Sequence, residues 1–236
     1  MVLNTVKVNE NKQNVDLLSL VFKASHDLKG PLRTIRSFAQ ILNKSLTDRI
    51  KDNEQDMFHF IFDATEDLEN LITQLVTFSK MGQTPLTFVE IDFGNLVELM
   101  KLNLQKQIQA KEATINLKYE TEKIRADREK LSLVLNNLTL NALEFQPKDQ
   151  RPVVDIEIAD KNEFWEISVS DNGIGIDPEH FETIFLPFEK LHGNSAFKGS
   201  GIGLAICDRI VKDHKGTIKV TSALNKGSTF TFSLPK

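Results

Sequence analysis

Length, composition and charge narrow the kind of protein that this chain can be. Its 236 residues suffice for one large domain or two modest ones, and an apolar share of 40% excludes a wholly disordered chain. Lysine and arginine number 29 against 33 acidic residues, and the net charge of −4 argues against nucleic acid as a partner. The single cysteine, Cys207, cannot form an internal disulfide, and no apolar run approaches the ~18 residues of a membrane span. We therefore expect a cytoplasmic protein with no membrane span in this chain.

The amino-terminal third carries two apolar seams at helical spacing. Residues 1–13 are polar and unpatterned, which predicts a flexible arm. One seam then steps by threes and fours from Leu18 to Leu46, and a second does so from Met57 to Phe78. The polar stretch 51–54 separates them, so we predict two long helices that form an antiparallel hairpin over 14–83. A single hairpin leaves much of its seam in water, which favours a homodimer with a four-helix bundle.

A histidine stands beside the first seam, in the segment Ser25-His26-Asp27-Leu28-Lys29-Gly30-Pro31-Leu32. His26 follows a seam position by one residue, so its imidazole is predicted to project from the flank of the bundle towards solvent. Pro31, shortly downstream, interrupts the helical hydrogen bonding. A lone helical histidine is most often a surface residue without a role. The alternative is a nucleophile, with Asp27 as its proton acceptor or orienting partner.

Beyond residue 84 the pattern changes to short strands and helices, which we assign to a second domain over 84–236. No regular alternation of strand and helix is present, so the pattern favours an α+β sandwich over a doubly wound sheet. The predicted strands cover 88–91, 114–119, 153–159, 164–170, 217–221 and 228–234. The predicted helices cover 95–109, a segment that begins at Asp127 as its N-cap, and 201–214.

Two asparagines share one face of the helix that begins at Asp127. Asn137 and Asn141 are four residues apart, so both amides point the same way. Such a pair is usually an ordinary polar face, but amides in an apolar stretch need partners. A magnesium-bound phosphate would supply them, because Mg²⁺ prefers oxygen ligands and keeps several waters.

Two glycine-rich segments follow. The first, 171–176, comes directly after a strand; Gly173 and Gly175 let its backbone approach a flat ligand. Asp171 can accept a hydrogen bond from an amine such as that of adenine, although the same residues also make an ordinary turn. The second segment, 199–204, leads into a helix, and its alternate glycines expose N–H groups that suit phosphate.

The stretch between the glycine segments has the composition of a mobile lid. Residues 186–198 lack periodicity, and we expect Phe185 and Phe188 to anchor them. Lys190, His192 and Lys198 would then be available for phosphates.

Taken in this order, the segments resemble the sequence boxes of the sensor histidine kinases of two-component signalling. The likeness covers nearly everything from Val15 to Pro235, and several boxes in sequence are far more specific than any one. The stretch 190–193 together with 199–206 also resembles phytochrome-type sensor kinases. In chain order, the matching segments are 25–32 (phosphoacceptor box), 137–145 (asparagine box), 171–176 (first glycine box), 185–188 (phenylalanine box), 199–204 (second glycine box) and 226–230 (a third, closing glycine box).

The resemblance implies a dimerising phosphoacceptor hairpin joined to an ATP-binding sandwich of the type shared with gyrase, Hsp90 and MutL. His26 would attack the γ-phosphate of ATP and pass the group to an aspartate on a response-regulator receiver domain. Asn141 would ligate Mg²⁺ with Asn137 in support, and Asp171 would receive the adenine amine. An upstream sensor domain or partner would lie outside this chain. The phosphates would be cradled by Gly199, Ser200, Gly201, Ile202, Gly203 and Leu204.

Two residues depart from the family pattern. Glu144 stands where the family often has a basic residue near the phosphates, and its carboxylate would repel them unless it turns away or Lys198 compensates. Gly30 stands four residues after His26, where family members that also dephosphorylate their regulator often carry Thr or Asn. We therefore expect weak phosphatase activity.

Two other interpretations stay open. One is an ATP-driven machine related to gyrase or Hsp90, in which a glutamate four residues before the magnesium asparagine serves as general base. That position is Asn137 here, and an amide cannot act as a base. The other is a degenerate module that relays phosphate or docks a partner without kinase activity, which Glu144 keeps open.

Overall fold

The computed structural model describes residues 28–44, 52–81, 85–121, 123–191 and 200–236. The chain divides into two compact units, Met1–Met81 and Gly82–Lys236.

The first unit is a helical hairpin. Helix α1 covers 28–44 and helix α2 covers Asp52–Lys80, and the guanidinium of Arg36 reaches the carboxylate of Glu69 across the pair at 3.2 Å. Along each helix, buried side chains recur every seven residues, which is the spacing of one narrow contact face. These buried residues are Leu32 and Ala39 on α1, and Thr65, Ile72 and Ser79 on α2. The arm over 1–13, with Leu18, Leu46 and the hairpin turn, lies outside the described residues.

The buried face of α2 lies one residue beyond the predicted seam, a difference that two hydroxyl groups explain. Thr65 and Ser79 are buried because their hydroxyls donate to the helix's own carbonyls, at 2.9 Å to Ile61 and 2.8 Å to Val76. A pattern based on apolar residues does not register these two positions. Much of the predicted seam is exposed within one hairpin: Leu28, Ile35 and Leu42 on α1, and Met57, Ile61 and Leu68 on α2.

The second unit is built on a five-stranded sheet in the order β2-β4-β5-β7-β6, with a separate two-stranded sheet of β1 and β3. Strands β2 and β4 run parallel, and every other described pair is antiparallel. The strands are β1 (Phe88–Asp92), β2 (Thr114–Tyr119), β3 (Lys123–Asp127), β4 (Val153–Asp160), β5 (Phe164–Asp171), β6 (Ile218–Ser222) and β7 (Ser228–Pro235).

The described part of the second unit has four α-helices: α3 (Phe93–Asn103), α4 (Gln105–Ala110), α5 (Arg128–Glu144) and α6 (Gly203–Asp213). The central strands bury alternate residues, so one face of the sheet forms the core, and α5 and α6 cover it. Asp127 caps α5, as predicted, by accepting a hydrogen bond from the Lys130 backbone N–H at 3.1 Å. The predicted α+β sandwich is confirmed. None of the helices in the described ranges combines the length and apolarity needed to cross a bilayer.

Two elements of the second unit differ from the sequence prediction. The single helix predicted over 95–109 is two helices, because the backbone departs from helical geometry at Leu104 (φ −98°, ψ 12°), whose side chain is buried. Strand β3 was not predicted at all. Its five residues include only two buried apolar side chains, Ile124 and Ala126, and pairing with β1 stabilises it.

A buried histidine ties the start of α5 to the end of α6. His214 Nε2 accepts a hydrogen bond from the backbone N–H of Asp127 at 3.1 Å, so Nδ1 carries the proton that it shares with the carbonyl of Ile210 at 2.8 Å. The same ring makes a T-shaped contact with Phe88, with 5.4 Å between the ring centroids. The ring thus uses both nitrogens to join the two helix ends.

Replacing His214 with leucine should destabilise the second unit. The change leaves the Asp127 N–H buried without a partner, which costs about 1–3 kcal/mol in the free energy of unfolding. Urea unfolding followed by fluorescence of Trp165, a buried residue of β5 and the only tryptophan, measures the loss. His180→Leu, at a partly exposed histidine, is the control and should change the value by less than about 0.5 kcal/mol. Equal stability of the two variants would contradict the role of His214.

Candidate functional site

Helix α5, which carries Asn137 and Asn141, lies close to the start of α6. A methyl group built on Gly203 would lie only 2.9 Å from Asn137 Oδ1, so a larger residue there would require the Asn137 side chain to shift. The other end of the same amide donates to the carbonyl of Leu133 at 2.8 Å, within α5. Asn137 therefore lies directly against the second glycine segment.

The carboxyl end of α5 meets the first glycine segment. The backbone N–H of Ile174 donates to the carbonyl of Phe145, one residue past the helix, at 3.0 Å. Gly173 is buried, and a side chain on it would overlap that carbonyl. Gly175 is also buried, with φ +71°, and a side chain there would overlap the backbone of Ala223. The segment thus needs both glycines for its close packing.

Asp171 ends strand β5 with one oxygen engaged and the other open. Its Oδ1 accepts hydrogen bonds from the backbone N–H groups of Gly173, at 2.8 Å, and Ser228, at 3.2 Å. In the described part of the chain, no group donates to Oδ2. The carboxylate is therefore held at two points, with an acceptor left over for an N–H donor of a ligand.

Burial raises the pKa of the Asp171 carboxyl above its ordinary value, and the N–H groups of Gly173 and Ser228 offset part of that rise. Since the pKa is higher in the folded chain than in the unfolded chain, the ionised carboxylate reduces stability at neutral pH. This loss is relieved as the pH falls through the raised pKa.

Donors from three sources hold the last turn of α5. The Asn141 carbonyl accepts from the Phe145 N–H at 3.0 Å, the Ala142 carbonyl from Gln146 Nε2 at 2.6 Å, and the Leu143 carbonyl from Lys111 Nζ at 3.0 Å. Helix ends normally leave such carbonyls to water. With the turn held in this way, the backbone at Asn141 is fixed.

The Asn141 amide itself is half-buried and makes no hydrogen bond to any described residue. Nor do the described residues contain a cluster of three or more histidine, cysteine or acidic side chains that could hold a metal. The donor set nevertheless fits Mg²⁺, which accepts one amide oxygen when phosphates and waters complete its shell.

The second glycine segment forms a tight turn before α6. Gly201 has φ +73°, a conformation that favours glycine, and its carbonyl accepts from the Phe188 N–H at 2.8 Å. Ser200 Oγ accepts from the Ile202 N–H at 3.1 Å, and Ile202 is buried. Leu204 lies in the first turn of α6. The turn is thus fixed to the phenylalanine segment on one side and to the core on the other.

Only one of the two phenylalanines predicted to anchor the lid does so with its ring. Phe185 packs edge-on against Phe230, at 6.4 Å between centroids. Phe188 is attached through its backbone instead: the residue is 58% exposed, and its N–H donates to the carbonyl of Gly201. Lys190 is exposed, and His26, Asp27, Lys198 and Gly199 lie outside the described residues.

Sequence reasoning missed three residues that shape this site, namely Lys111, Gln146 and Ser228. Gln146 and Lys111 donate to the end of α5, and Ser228 donates through its backbone to Asp171. Only Ser228 carried a signal, since it stands in the closing glycine box. Lys111 is 33 residues from Glu144 in the chain, and no local pattern links the two.

Each of the two units matches a known protein-family model. Residues 18–84 match the His Kinase A (phospho-acceptor) domain, and residues 126–236 match the histidine kinase-, DNA gyrase B- and HSP90-like ATPase domain.

The chain is also similar to known sensor histidine kinases and phytochrome-like proteins. It is 33% identical to the phytochrome-like protein Cph1 of Synechocystis over 96% of this chain and 30% of that protein. It is 29% identical to the sensor histidine kinase WalK of Bacillus subtilis over 96% of this chain and 38% of that protein. The chain thus spans under two fifths of the length of these relatives. The predicted likeness to phytochrome-type proteins is confirmed.

Solved structures show the same fold. The catalytic domain of the histidine kinase ThkA is 28% identical, with a TM-score of 0.56 over 64% of this chain and 97% of that chain. Full-length ShkA, solved in complex with AMPPNP, is 22% identical, with a TM-score of 0.73 over 92% of this chain and 45% of that chain.

Replacing Asp171 with asparagine should change which purine the site accepts. The amide oxygen can still accept from Gly173 and Ser228, but an NH₂ donor replaces the open oxygen. We expect binding of ATP to weaken by about tenfold or more, and binding of inosine triphosphate, whose base offers an acceptor there, to strengthen. Calorimetry with both nucleotides measures this.

A second measurement on Asp171→Asn, the free energy of unfolding as a function of pH, tests whether the buried carboxyl has been removed. The amide of the variant cannot ionise, so the variant should lose the gain in stability that the original chain shows as the pH falls through the raised pKa of Asp171. If Asp171→Asn weakened the binding of ATP and of inosine triphosphate equally, the predicted contact between Asp171 and the adenine amine would be contradicted.

Proposed function

The chain belongs to the sensor histidine kinases of two-component signalling, and on that basis we propose that it is an ATP-dependent autokinase that phosphorylates His26. The phosphoryl group then passes to an aspartate of a response-regulator receiver domain. The observation that carries this proposal is the packing of the Asn137 and Asn141 helix against both glycine segments, with the Asn141 amide left open.

In this proposal the second unit binds ATP. Asp171 Oδ2 accepts the adenine amine, and the turn over 200–204 supplies N–H groups to the phosphates. Asn141 is the protein's ligand for Mg²⁺, and Asn137 supports it from the preceding turn of α5. When bound, the metal neutralises charge on the phosphates during transfer. Lys190 and Lys198, both within the segment 186–198, are proposed phosphate contacts.

The chemistry falls to His26. A nitrogen of its imidazole attacks the γ-phosphorus, the bond from that phosphorus to the β–γ bridging oxygen breaks, and ADP leaves. Asp27 orients the ring and accepts its proton. In the second reaction the phosphorus–nitrogen bond breaks as a carboxylate oxygen of the regulator bonds to phosphorus, and the imidazole is restored. The solved complex of ThkA with the response regulator TrrA supports this partner by analogy of fold.

A homodimer is the assembly we propose for the hairpin. Apolar side chains remain exposed along both helices, among them Ile35 and Leu42 on α1 and Ile61 and Leu68 on α2. A second hairpin placed against them would bury this surface in a four-helix bundle. The proposed location is the cytoplasm, where ATP is available, and a sensor domain or partner outside this chain supplies the signal.

The rival interpretations have less support. The gyrase- and Hsp90-type machine needs a glutamate where Asn137 stands, and this amide already donates to Leu133. The kinase-inactive module rested on repulsion by Glu144, but the Glu144 carboxylate pairs with Lys111 at 3.0 Å.

Incubation with γ-labelled ATP and Mg²⁺ tests the proposal. The chain should acquire an acid-labile, alkali-stable phosphate, and His26→Ala and Asn141→Ala should each reduce it at least about a hundredfold, because one removes the nucleophile and the other the metal ligand. His180→Ala, at a partly exposed histidine, should label normally. If His26→Ala were labelled as strongly as the original chain, the proposal that His26 is phosphorylated would be wrong.

Weak phosphatase activity is the proposed consequence of Gly30. Glycine has no side chain to position a water against a phosphorylated regulator. A methyl group built on Gly30 meets nothing within 4 Å among the described atoms, so a larger residue fits there without a clash.

Gly30→Asn and Gly30→Thr should therefore gain phosphatase activity, by about tenfold or more, because their side chains can orient the attacking water. Loss of label from purified phosphorylated regulator measures it. Gly30→Ala is the matched control, since it adds a Cβ and helix propensity without a hydrogen-bonding group. If Gly30→Ala gained as much as Gly30→Asn, helix stability rather than water positioning would be responsible. Rapid dephosphorylation by the original chain would contradict the proposal directly.

A further inference from the structure

A lysine from outside the predicted boxes caps the helix that carries Asn141. Lys111 Nζ lies 3.0 Å from the carbonyl oxygen of Leu143 and 3.0 Å from Oε2 of Glu144. The side chains of Lys111 and Glu144 are each 32% exposed, so the pair is partly shielded from water. One ammonium thus serves both the end of the helix and its last carboxylate.

Without this lysine, the end of α5 would be an unfavourable place for phosphates. Glu144 follows Asn141 by three residues, and side chains at that spacing are neighbours on one face of a helix. The carboxyl end of a helix also carries a partial negative charge. A polyphosphate brought to Asn141 would therefore face both a formal and a partial negative charge nearby.

The backbone around Lys111 is held, so its ammonium is placed before any ligand arrives. Lys111 is the C-cap of α4, and the next residues are tied by hydrogen bonds from the Ala113 N–H to Ile108 and from the Thr114 N–H to Pro152, both at 2.9 Å. The second of these leads into the pairing of β2 with β4. Little ordering is then required of this segment when a ligand binds.

We propose that Lys111 is a positioning residue of the nucleotide site: it draws the Glu144 carboxylate to itself and offsets its charge, so that the phosphates of Mg–ATP can bind at Asn141. This inference rests on the proposed function. Lys111 acts through Glu144 and the end of α5.

The alternative is an ordinary surface ion pair. Such pairs contribute little to stability and would affect all ligands alike. The chain offers a matched pair for comparison, Lys118 with Glu157, which joins β2 to β4 at 3.3 Å and is more exposed.

A charge series separates the two cases. Calorimetry with adenosine, Mg–ADP and Mg–ATP would be run on the original chain, Lys111→Met, Glu144→Gln and the double variant. We expect Lys111→Met to weaken Mg–ATP by about threefold to tenfold, Mg–ADP less, and adenosine not at all. Added salt should shrink the loss. The double variant should bind Mg–ATP about as well as the original chain, because no uncompensated carboxylate is left.

Each contrary result has a distinct meaning. Equal weakening of adenosine and Mg–ATP, or no weakening of either, would overturn the role of Lys111; so would a double variant as weak as Lys111→Met. Lys118→Met should bind all three ligands normally, and an equal loss there would show a general effect of charge. If the original chain bound no nucleotide, the proposed function would fail first. Thermal unfolding of each variant confirms that the second unit is folded.

Discussion

The arrangement of the second unit depends on how α5 is terminated. An α-helix leaves its last carbonyls without partners, and a buried end must find donors elsewhere. Here the donors come from separate parts of the chain: the Gln146 side chain, Lys111 from the turn after α4, and Ile174 from the first glycine segment. The same bonds that satisfy the helix therefore bring a distant lysine and a glycine loop to the end of the helix that carries Asn141.

The opposite end of α5 is held in a comparable way. The Asp127 side chain accepts from Lys130 and from Thr87, and its backbone donates to His214. Between the two ends, Leu131, Leu135 and Leu138 are fully buried against the rest of the unit. A helix fixed at both ends and along one face keeps its polar face in one orientation, which is what a binding site made of two short amides needs.

The sequence predicted those parts of the fold that local patterns determine. Alternation located β4, β5 and β7 to within a residue or two, and the Asp127 cap located the start of α5, because these signals lie within a few neighbouring residues. Strand β3 was missed because its stability comes from pairing with β1. The predicted buried face of α2 was one residue off, because Thr65 and Ser79 are polar residues that a search for apolar positions passes over.

The residues of the candidate site also fall into those that local sequence predicts and those that only the fold brings together. Asn137, Asn141 and the glycine segments could be found from their spacing, since each lies within one short stretch. Lys111 could not, because its partner Glu144 is distant in the chain and the contact exists only after folding. The way Phe188 is attached could not be predicted either, because a phenylalanine ordinarily anchors through its ring, whereas here the backbone makes the attachment.

The sealed position of Cys207 has a practical consequence. This sole sulfhydryl is fully buried against α5, and burial raises its pKa far above the ordinary range, so reagents that require a thiolate do not reach it in the folded chain. A cysteine introduced at any chosen surface position would then be the only one to take a fluorophore or spin label. Motions of the lid or of the hairpin could be followed spectroscopically without first engineering away a native thiol.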